Sequence, residues 1–215
     1  MIEFKRLSKK YPTGQLALYN VNLTVNAGEM VFLTGVSGAG KSTFLKLIAL
    51  LERPSEGDIL IAGKSLKSLT KSQIPEYRRK IGFIYQDPRL LADHSVFDNV
   101  ALPLHIAGVC QKEIRNRVHA ALDKVNLSSK EKCPPLMLSA GEKQRVGIAR
   151  AMVNKPTILL ADEPTGNLDP KLAEDIMYTF SQFNELGTTV LIASHDHALI
   201  EQMNKRTIVL QKVDS

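Results

Sequence analysis

The sequence predicts an α/β fold in which a mainly parallel β-sheet is covered by helices. Three apolar, β-branched segments have the composition of fully buried parallel strands. They are residues 30–34, 157–161 and 188–193. Helical patterns alternate with them at 41–51, 140–153 and 171–183. Alternation of this kind is typical of a layered α/β core.

Two additions to this core are predicted. Short strand-like pieces separated by turn residues indicate an antiparallel sheet beside the main one. They are residues 2–7, 21–25, 58–62 and 81–85. Between Asp87 and Met137 the strand signal disappears, and apolar residues recur on one helical face. These are Ile114, Val118, Ala121, Leu122 and Val125. We therefore expect a single domain: residues 1–86 and 157–215 form the β subdomain and core, and 87–156 form an inserted helical subdomain.

Composition narrows the function. The chain has 215 residues, 44% of them apolar, which suffices for one domain with a substantial core. The formal charge of +6 and pI near 9.3 suit an anionic partner: nucleic acid, a membrane surface or an acidic protein segment. The basic clusters at 77–80 and 112–117 lack interleaved aromatics, so they favour a solvated face, and no nucleic acid is expected.

Targeting and redox signals are weak. No apolar run is long enough to span a bilayer, and the first residues lack the apolar centre of a signal peptide. Cys110 and Cys133 show neither metal-ligand spacing nor a disulfide framework, so we expect structural roles in a reducing cytoplasm.

The strongest motif is GVSGAGKST at 35–43, which fits G-x-x-x-x-G-K-[ST] between an apolar strand and a helix. Glycines let backbone amides turn towards a phosphate chain, and the helix N-terminus adds positive charge. Lys41 is expected to reach the β- and γ-phosphates, and Ser42 to bind Mg²⁺. Thr43 either contacts the α-phosphate or caps the helix. The predicted nucleotide-binding residues are Gly35, Ser37, Gly38, Ala39, Gly40, Lys41, Ser42 and Thr43.

A second motif is ILLADEP at 158–164, where an apolar strand ends in two carboxylates. Asp162 is expected to hold Mg²⁺, through water, and Glu163 to polarise the attacking water. The alternative is that Asp162 only caps the following turn. With the phosphate cradle upstream, the pair predicts a nucleoside triphosphatase.

The segment LSAGE at 138–142 is a further anion-binding pattern. Ser139 and Gly141 stand at the start of the predicted helix 140–153 and offer amides and a hydroxyl. One triphosphate does not need two pockets. Two copies arranged head to tail would use both, because each segment 138–142 would close on the γ-phosphate held by the other copy. Ser139, Gly141 and Glu142 are therefore predicted to bind nucleotide in trans.

The ordered set of motifs resembles the ATP-binding cassette family over nearly all of the chain. The set is Tyr11, GVSGAGKST, Gln86, LSAGE, ILLADEP, NLD at 167–169, and His195. The resemblance implies a P-loop (RecA-like) core with antiparallel and helical subdomains. It also implies Mg²⁺-dependent hydrolysis of ATP to ADP and phosphate, and an ATP-dependent homodimer.

The family's roles carry over to four more residues. Tyr11 resembles the residue on which adenine stacks, and Gln86 the one that contacts Mg²⁺ and the attacking water. His195 resembles the histidine that hydrogen-bonds the γ-phosphate. Asp169 resembles the acid that bridges the two copies beside Ser139 and Gly141. Alternatives are an ordinary tyrosine, a polar strand end at Gln86 and a helix cap at Asp169.

The remaining histidines match no family position and are expected on the surface. They are His94, His105, His119 and His197. One departure from the family pattern LSGGQ concerns Ala140, which replaces a glycine, and Glu142, which replaces glutamine. A Cβ at Ala140 disfavours positive φ, so either φ is negative there or dimer closure is weakened.

Three further segments resemble the subgroup that serves division, lipoprotein-release and macrolide-export complexes. They are DNVALPLHIAG (98–108), ARAMVNKP (149–156) and LADEPTGNLD (160–169). The resemblance implies an FtsX-like integral membrane partner and a peripheral position on the cytoplasmic face of the inner membrane at the division site. ATP-driven closure would there regulate cell-wall hydrolases.

Two other functions stay open. One is the ATPase subunit of a lipoprotein-release or macrolide-type export transporter, and the other is a cassette protein acting on DNA or ribosomes. The membrane partner is expected to contact residues 86–100, where Leu90, Leu91 and Phe97 form an apolar patch. The alternative is that these three side chains pack inside the helical subdomain.

Overall fold

The computed structural model describes residues 1–166 and 168–213, so Asn167 of the NLD motif lies outside the described residues. The strands are β1 (Ile2–Lys10), β2 (Leu16–Val25), β3 (Met30–Thr34), β4 (Glu56–Ile61), β5 (Lys64–Ser65), β6 (Ile81–Ile84), β7 (Ile158–Asp162), β8 (Thr189–Ala193) and β9 (Arg206–Val209). The helices are α1 (Lys41–Ile48), α2 (Ile74–Arg79), α3 (Val96–Ile106), α4 (Gln111–Lys124), α5 (Ala140–Met152), α6 (Pro170–Glu185) and α7 (His197–Met203).

The main sheet is parallel and has the strand order β6-β7-β8-β3-β9. Its central strands β7, β8 and β3 are the three apolar segments that the sequence predicts, and all residues of β3 and β8 are buried. Burial on both faces explains their uninterrupted apolar composition. The predicted α/β class is confirmed.

The second sheet is antiparallel, in the order β2-β1-β4-β5. The prediction that residues 81–85 belong to this sheet is wrong. They form β6, which pairs parallel with β7 at the edge of the main sheet, with Ile81 opposite Ile158. A parallel strand needs a crossover connection, and the sequence pattern does not reveal helix α2, which directly precedes β6. Without that helix, four apolar residues resemble one more short antiparallel strand.

The parallel sheet separates two cores, because successive residues of a strand point to opposite faces. Met30 and Phe32 join the helical-side core, which contains the buried residues of α3, α4, α5 and α6. Val31 and Leu33 join the cradle-side core, which contains α1 and the antiparallel sheet. Strands β7 and β8 alternate in the same way.

The region between β6 and β7 is helical, as predicted, and α3, α4 and α5 pack on one another. All five residues of the predicted apolar face are buried: Ile114, Val118, Ala121, Leu122 and Val125. None of the helices within 1–166 and 168–213 has the length and apolar character that crossing a bilayer requires.

Candidate nucleotide-binding and catalytic site

Three predicted motifs meet at one edge of the parallel sheet. The cradle 35–43 follows β3, the acids Asp162 and Glu163 stand at the end of β7, and His195 follows β8. Because these strands are neighbours in the order β7-β8-β3, their carboxyl ends lie side by side. This edge is where open α/β sheets bind ligands.

The cradle is shaped for a group that approaches the backbone closely. Gly35 has φ 145° and Gly40 has φ 89°, in the region that favours glycine. A Cβ at Gly35 would collide with the carbonyl oxygen of Leu210, and one at Gly40 with that of Ala17. Gly40 begins α1 and has no side chain to cap its first amides. Free amides at a helix N-terminus suit the phosphates of ATP.

Lys41 closes over the mouth of the cradle. Its Nζ donates to the carbonyl oxygen of Gly35 at 2.8 Å and to that of Val36 at 3.4 Å. Of the other predicted residues, Ser37 and Gly38 are exposed, whereas Ala39 is buried in the cradle-side core. Lys41 is thus the cation that the cradle holds at the phosphate position.

The oxygens expected to bind Mg²⁺ lie together although they are far apart in sequence. Ser42 Oγ donates to Asp162 Oδ1 at 2.9 Å. A hydroxyl and a carboxylate are hard oxygen donors of the kind Mg²⁺ prefers, and Mg²⁺ normally completes its shell with phosphates and water. The donor set therefore fits the ion.

Tyr11 lies beside the cradle, half-buried, and its hydroxyl is 3.1 Å from Thr43 Oγ1. Lys9 Nζ lies 4.9 Å from the centroid of the Tyr11 ring. The ring is therefore placed next to the helix that carries the cradle, where stacking with adenine is sterically reasonable.

Glu163 and His195 form a pair. Glu163 Oε2 is 2.7 Å from His195 Nδ1, and the Glu163 side chain is 16% exposed. Glu163 has φ 49°, an unusual value for a residue with a Cβ, and its amide donates to the carbonyl oxygen of Ala193 at the end of β8. Strained backbone of this kind is typical of functional sites.

Gln86 lies on the same cavity as Glu163. The cavity has a volume of about 330 Å³, and Ala140, Lys143 and Gln144 also line it. Gln86 is exposed, and it follows β6 at the boundary with the helical region. The structure thus brings together Gln86, the acid and the start of the segment 138–142.

Two side chains that no sequence pattern indicates hold the Gln86 loop. Gln144 is buried and its Nε2 donates to the Tyr85 carbonyl at 3.2 Å, while Arg150 donates to the carbonyls of Pro88 and Arg89. Burial lowers the pKa of Arg150 from its ordinary value. Polar residues on a helix resemble solvent-facing ones, so spacing alone does not mark these anchors.

Ser139 caps helix α5 through reciprocal hydrogen bonds with Glu142. The Glu142 amide donates to Ser139 Oγ at 3.3 Å, and the Ser139 amide donates to Glu142 Oε2 at 2.9 Å. Lys130 Nζ donates to the other carboxylate oxygen at 2.5 Å. Within the described residues, no hydrogen bond joins 138–142 to the cradle 35–43. This segment is free to serve another molecule.

Ala140 and Gly141 both lie in the first turn of α5. Ala140 is helical and is not among the residues with positive φ, so its Cβ causes no backbone strain. At Gly141, in contrast, a Cβ would collide with the side chain of Leu172 in α6. The glycine that this chain retains is therefore the one that packing requires.

The remaining predicted positions are at the surface. Asp169 caps α6 by accepting from the Leu172 amide at 3.1 Å, so the capping alternative holds in this chain. His94, His105, His119 and His197 are exposed, as expected. Leu90 and Phe97 are half-buried against the helical-side core, and only Leu91 of the apolar patch is exposed.

Comparisons with known proteins agree with this geometry. Residues 18–166 match the family model described as ABC transporter. The chain is 55% identical over 210 residues to the cell division ATP-binding protein FtsE of Escherichia coli (strain K12), covering 98% of this chain and 95% of that protein. It is 45% identical over 214 residues to the methionine import ATP-binding protein MetN 1 of Burkholderia ambifaria, covering 98% of this chain and 62% of that protein.

A solved structure is similar over nearly its whole length. It is a dimeric, post-hydrolysis state of an ATP-binding cassette bound to ADP and Pi. The TM-score is 0.92 at 37% sequence identity, and the alignment covers 99% of this chain and 95% of the other. The layered core with its antiparallel and helical additions is thus a known architecture.

Proposed function

The chain belongs to the ATP-binding cassette (ABC) transporter family, and from this we propose that it hydrolyses ATP to ADP and phosphate in a Mg²⁺-dependent reaction. The observation that carries the proposal is the placement of Glu163, with its partner His195, beside the Ser42–Asp162 pair at the mouth of the phosphate cradle. A base, a cation site and an anion site stand at one sheet edge.

The residues divide the chemistry as follows. The amides of 35–43 and the Lys41 ammonium bind the phosphates, Tyr11 stacks on adenine, and Thr43 contacts the α-phosphate. Ser42 and Asp162, with Gln86, hold Mg²⁺, which when bound neutralises charge on the phosphates. Glu163 accepts a proton from the attacking water. His195 orients the Glu163 carboxylate and lies where it can hydrogen-bond the γ-phosphate.

The active unit in this proposal is a head-to-tail homodimer. Ser139 and Gly141, with Glu142 beside them, face the γ-phosphate held by the partner copy, and Asp169 lies at the same interface. Support comes from the exposed Ser139 and Asp169 and from the dimeric state of the similar cassette bound to ADP and Pi. We also assign 87–156 to a helical subdomain and 1–86 with 157–215 to the β subdomain and core.

We infer that the complex is of the FtsEX type: two copies under an FtsX-like integral membrane protein, on the cytoplasmic face of the inner membrane at the division site. ATP-driven closure would be transmitted outward to regulate cell-wall hydrolases. This inference rests on the 55% identity to a cell division ATP-binding protein. The alternative is an ATPase subunit of a lipoprotein-release or macrolide-type exporter, and the 45% identity to a methionine importer keeps a transport role open.

Depletion in the native host tests the proposal. We expect filamentous cells with blocked septa, rescued by the wild-type chain but not by Glu163→Gln, and co-purification of a tagged chain with an FtsX-like membrane protein. Normal division, together with co-purification of a transport permease instead, would establish the alternative.

A further inference from the structure

The segment 138–142 carries a negative charge where the proposed function needs an anion site. Glu142 stands three residues after Ser139, in the first turn of α5. The usual family residue at this position is a neutral glutamine. A bare carboxylate there would repel the triphosphate held by the partner copy, because like charges brought together without solvent are costly.

The structure places a cation on this carboxylate. Lys130 Nζ lies 2.5 Å from Glu142 Oε1, while Oε2 accepts the Ser139 amide. Both oxygens are thus engaged within the chain, and neither is directed by default at an incoming phosphate. The pKa of the Glu142 carboxyl is lowered, first by the hydrogen bond from Lys130 and then by that from Ser139.

Lys130 is held in place by its backbone rather than by chance. It ends a short 3₁₀ turn, Ser128–Lys130, and its amide donates to the carbonyl oxygen of Leu127, a buried residue. Its carbonyl accepts from the Cys133 amide, and the following residues are hydrogen-bonded to the start of α3 through Val96 and Phe97. The ammonium is therefore delivered by a segment tied into the helical region.

We propose that Lys130 is a positioning residue for the trans nucleotide site: it neutralises Glu142 and holds it in the Ser139 cap, so that the partner's ATP meets a hydroxyl and amides rather than a free carboxylate. The proposal rests on the head-to-tail site of the proposed function. Lys130 itself touches neither nucleotide nor reacting atoms.

A double-mutant cycle tests it. In a Glu163→Gln background, ATP-dependent dimerisation is measured by sedimentation for Lys130→Met, Glu142→Gln, the double variant and the parent. With Glu142 present, we expect Lys130→Met to weaken dimerisation at least about tenfold, the size of one uncompensated charge interaction. When Glu142→Gln is already present, an oxygen for the Ser139 amide is retained without the charge, and Lys130→Met should change dimerisation less than about threefold.

Two variants serve as controls. Lys132→Met removes the same charge from an exposed neighbour that makes no ion pair within the described residues, and it should leave dimerisation within about twofold. Lys130→Arg keeps the charge and should keep dimerisation. Binding of a fluorescent ATP analogue to the monomer should not change in any of them, because the Lys130 ammonium is bonded to Glu142 and not to the chain's own cradle.

The outcomes are separable. An equal effect of Lys130→Met with and without Glu142→Gln, or no effect at all, overturns the proposal. Ser139→Arg in the same background distinguishes this from failure of the proposed function: if Ser139→Arg dimerises normally with ATP, the trans site itself is wrong. If Ser139→Arg is defective while Lys130→Met is not, only the role of Lys130 falls.

Discussion

His195 Nδ1 and Glu163 Oε2 lie 2.7 Å apart on the loops that follow two adjacent parallel strands, β8 and β7. The distance is set by the sheet, since neighbouring strands keep their ends close. The Glu163 amide is also hydrogen-bonded to Ala193, the last residue of β8. The carboxylate is therefore fixed before any substrate arrives, which is what a general base requires.

The first prediction concerns this carboxylate. Glu163→Gln should lower ATP turnover about 10²–10⁴-fold, because the amide cannot accept a proton from water. ATP binding should persist, since the cradle is untouched. Steady-state phosphate release and equilibrium ATP binding measure the two effects, with Lys41→Ala as the contrasting variant that loses binding. Near-normal hydrolysis by Glu163→Gln would refute the assigned role.

The second prediction concerns composite sites. Lys41→Ala and Ser139→Arg should each abolish ATPase activity alone, because each spoils both pockets of a homodimer. In a mixed dimer both lesions fall into one pocket and leave the other intact. Mixing should therefore restore part of the activity, measured with the membrane partner present or, as ATP-dependent pairing, in a Glu163→Gln background. No recovery under conditions where wild type pairs would leave Ser139 as a helix cap alone.

The third prediction concerns the membrane partner. Leu91 is 39% exposed, whereas Leu90 packs against the helical-side core and is unsuitable for a surface test. Leu91→Glu should reduce co-purification with the membrane protein and leave the melting temperature and basal ATPase unchanged. Leu186→Glu is a matched control, since Leu186 is 75% exposed at the end of α6. Equal co-purification of both variants would place the contact elsewhere.

The fourth prediction concerns Gly141. Gly141→Ala should destabilise the fold by about 1–3 kcal/mol, because the new methyl group overpacks against Leu172. Urea unfolding measures the loss. Leu172→Ala in the same chain should recover part of it by opening space for the methyl group. A loss in Gly141→Ala that Leu172→Ala leaves unchanged would point to a cause other than this contact.

The fifth prediction is a pH dependence. The folded pKa of Glu142 is lower than its ordinary value of 4.5, so the ionised form is favoured in the native state. Its stabilising contribution is present above that value and is lost as pH falls through the lower, folded pKa. Glu142→Gln should therefore cost stability at neutral pH and cost less towards pH about 3.5. Urea titrations of both proteins across this range should converge; curves that diverge on acidification would contradict the sign.

Sequence alone predicts the parts of the fold whose physics is local. Strands β3, β7 and β8 are apolar throughout because they are buried on both faces, and the cradle motif stands between a strand and a helix as its chemistry demands. Strand β6 is misplaced by local patterns because its pairing with β7 joins residues far apart in the chain. Gln144 and Arg150 escape detection because tertiary contacts, rather than spacing, bury them.

The two-sided parallel sheet has a consequence for how this chain tolerates change. Phe32 and Leu33 are sequence neighbours, yet Phe32 packs among the helices that carry the segment 138–142 and Leu33 packs among the elements that carry the phosphate cradle. Distant, unshared contacts behave additively. A saturation map of the central strands should therefore show two phenotypes interleaved residue by residue, and the two halves of the motor could accumulate substitutions at independent rates while sharing one backbone.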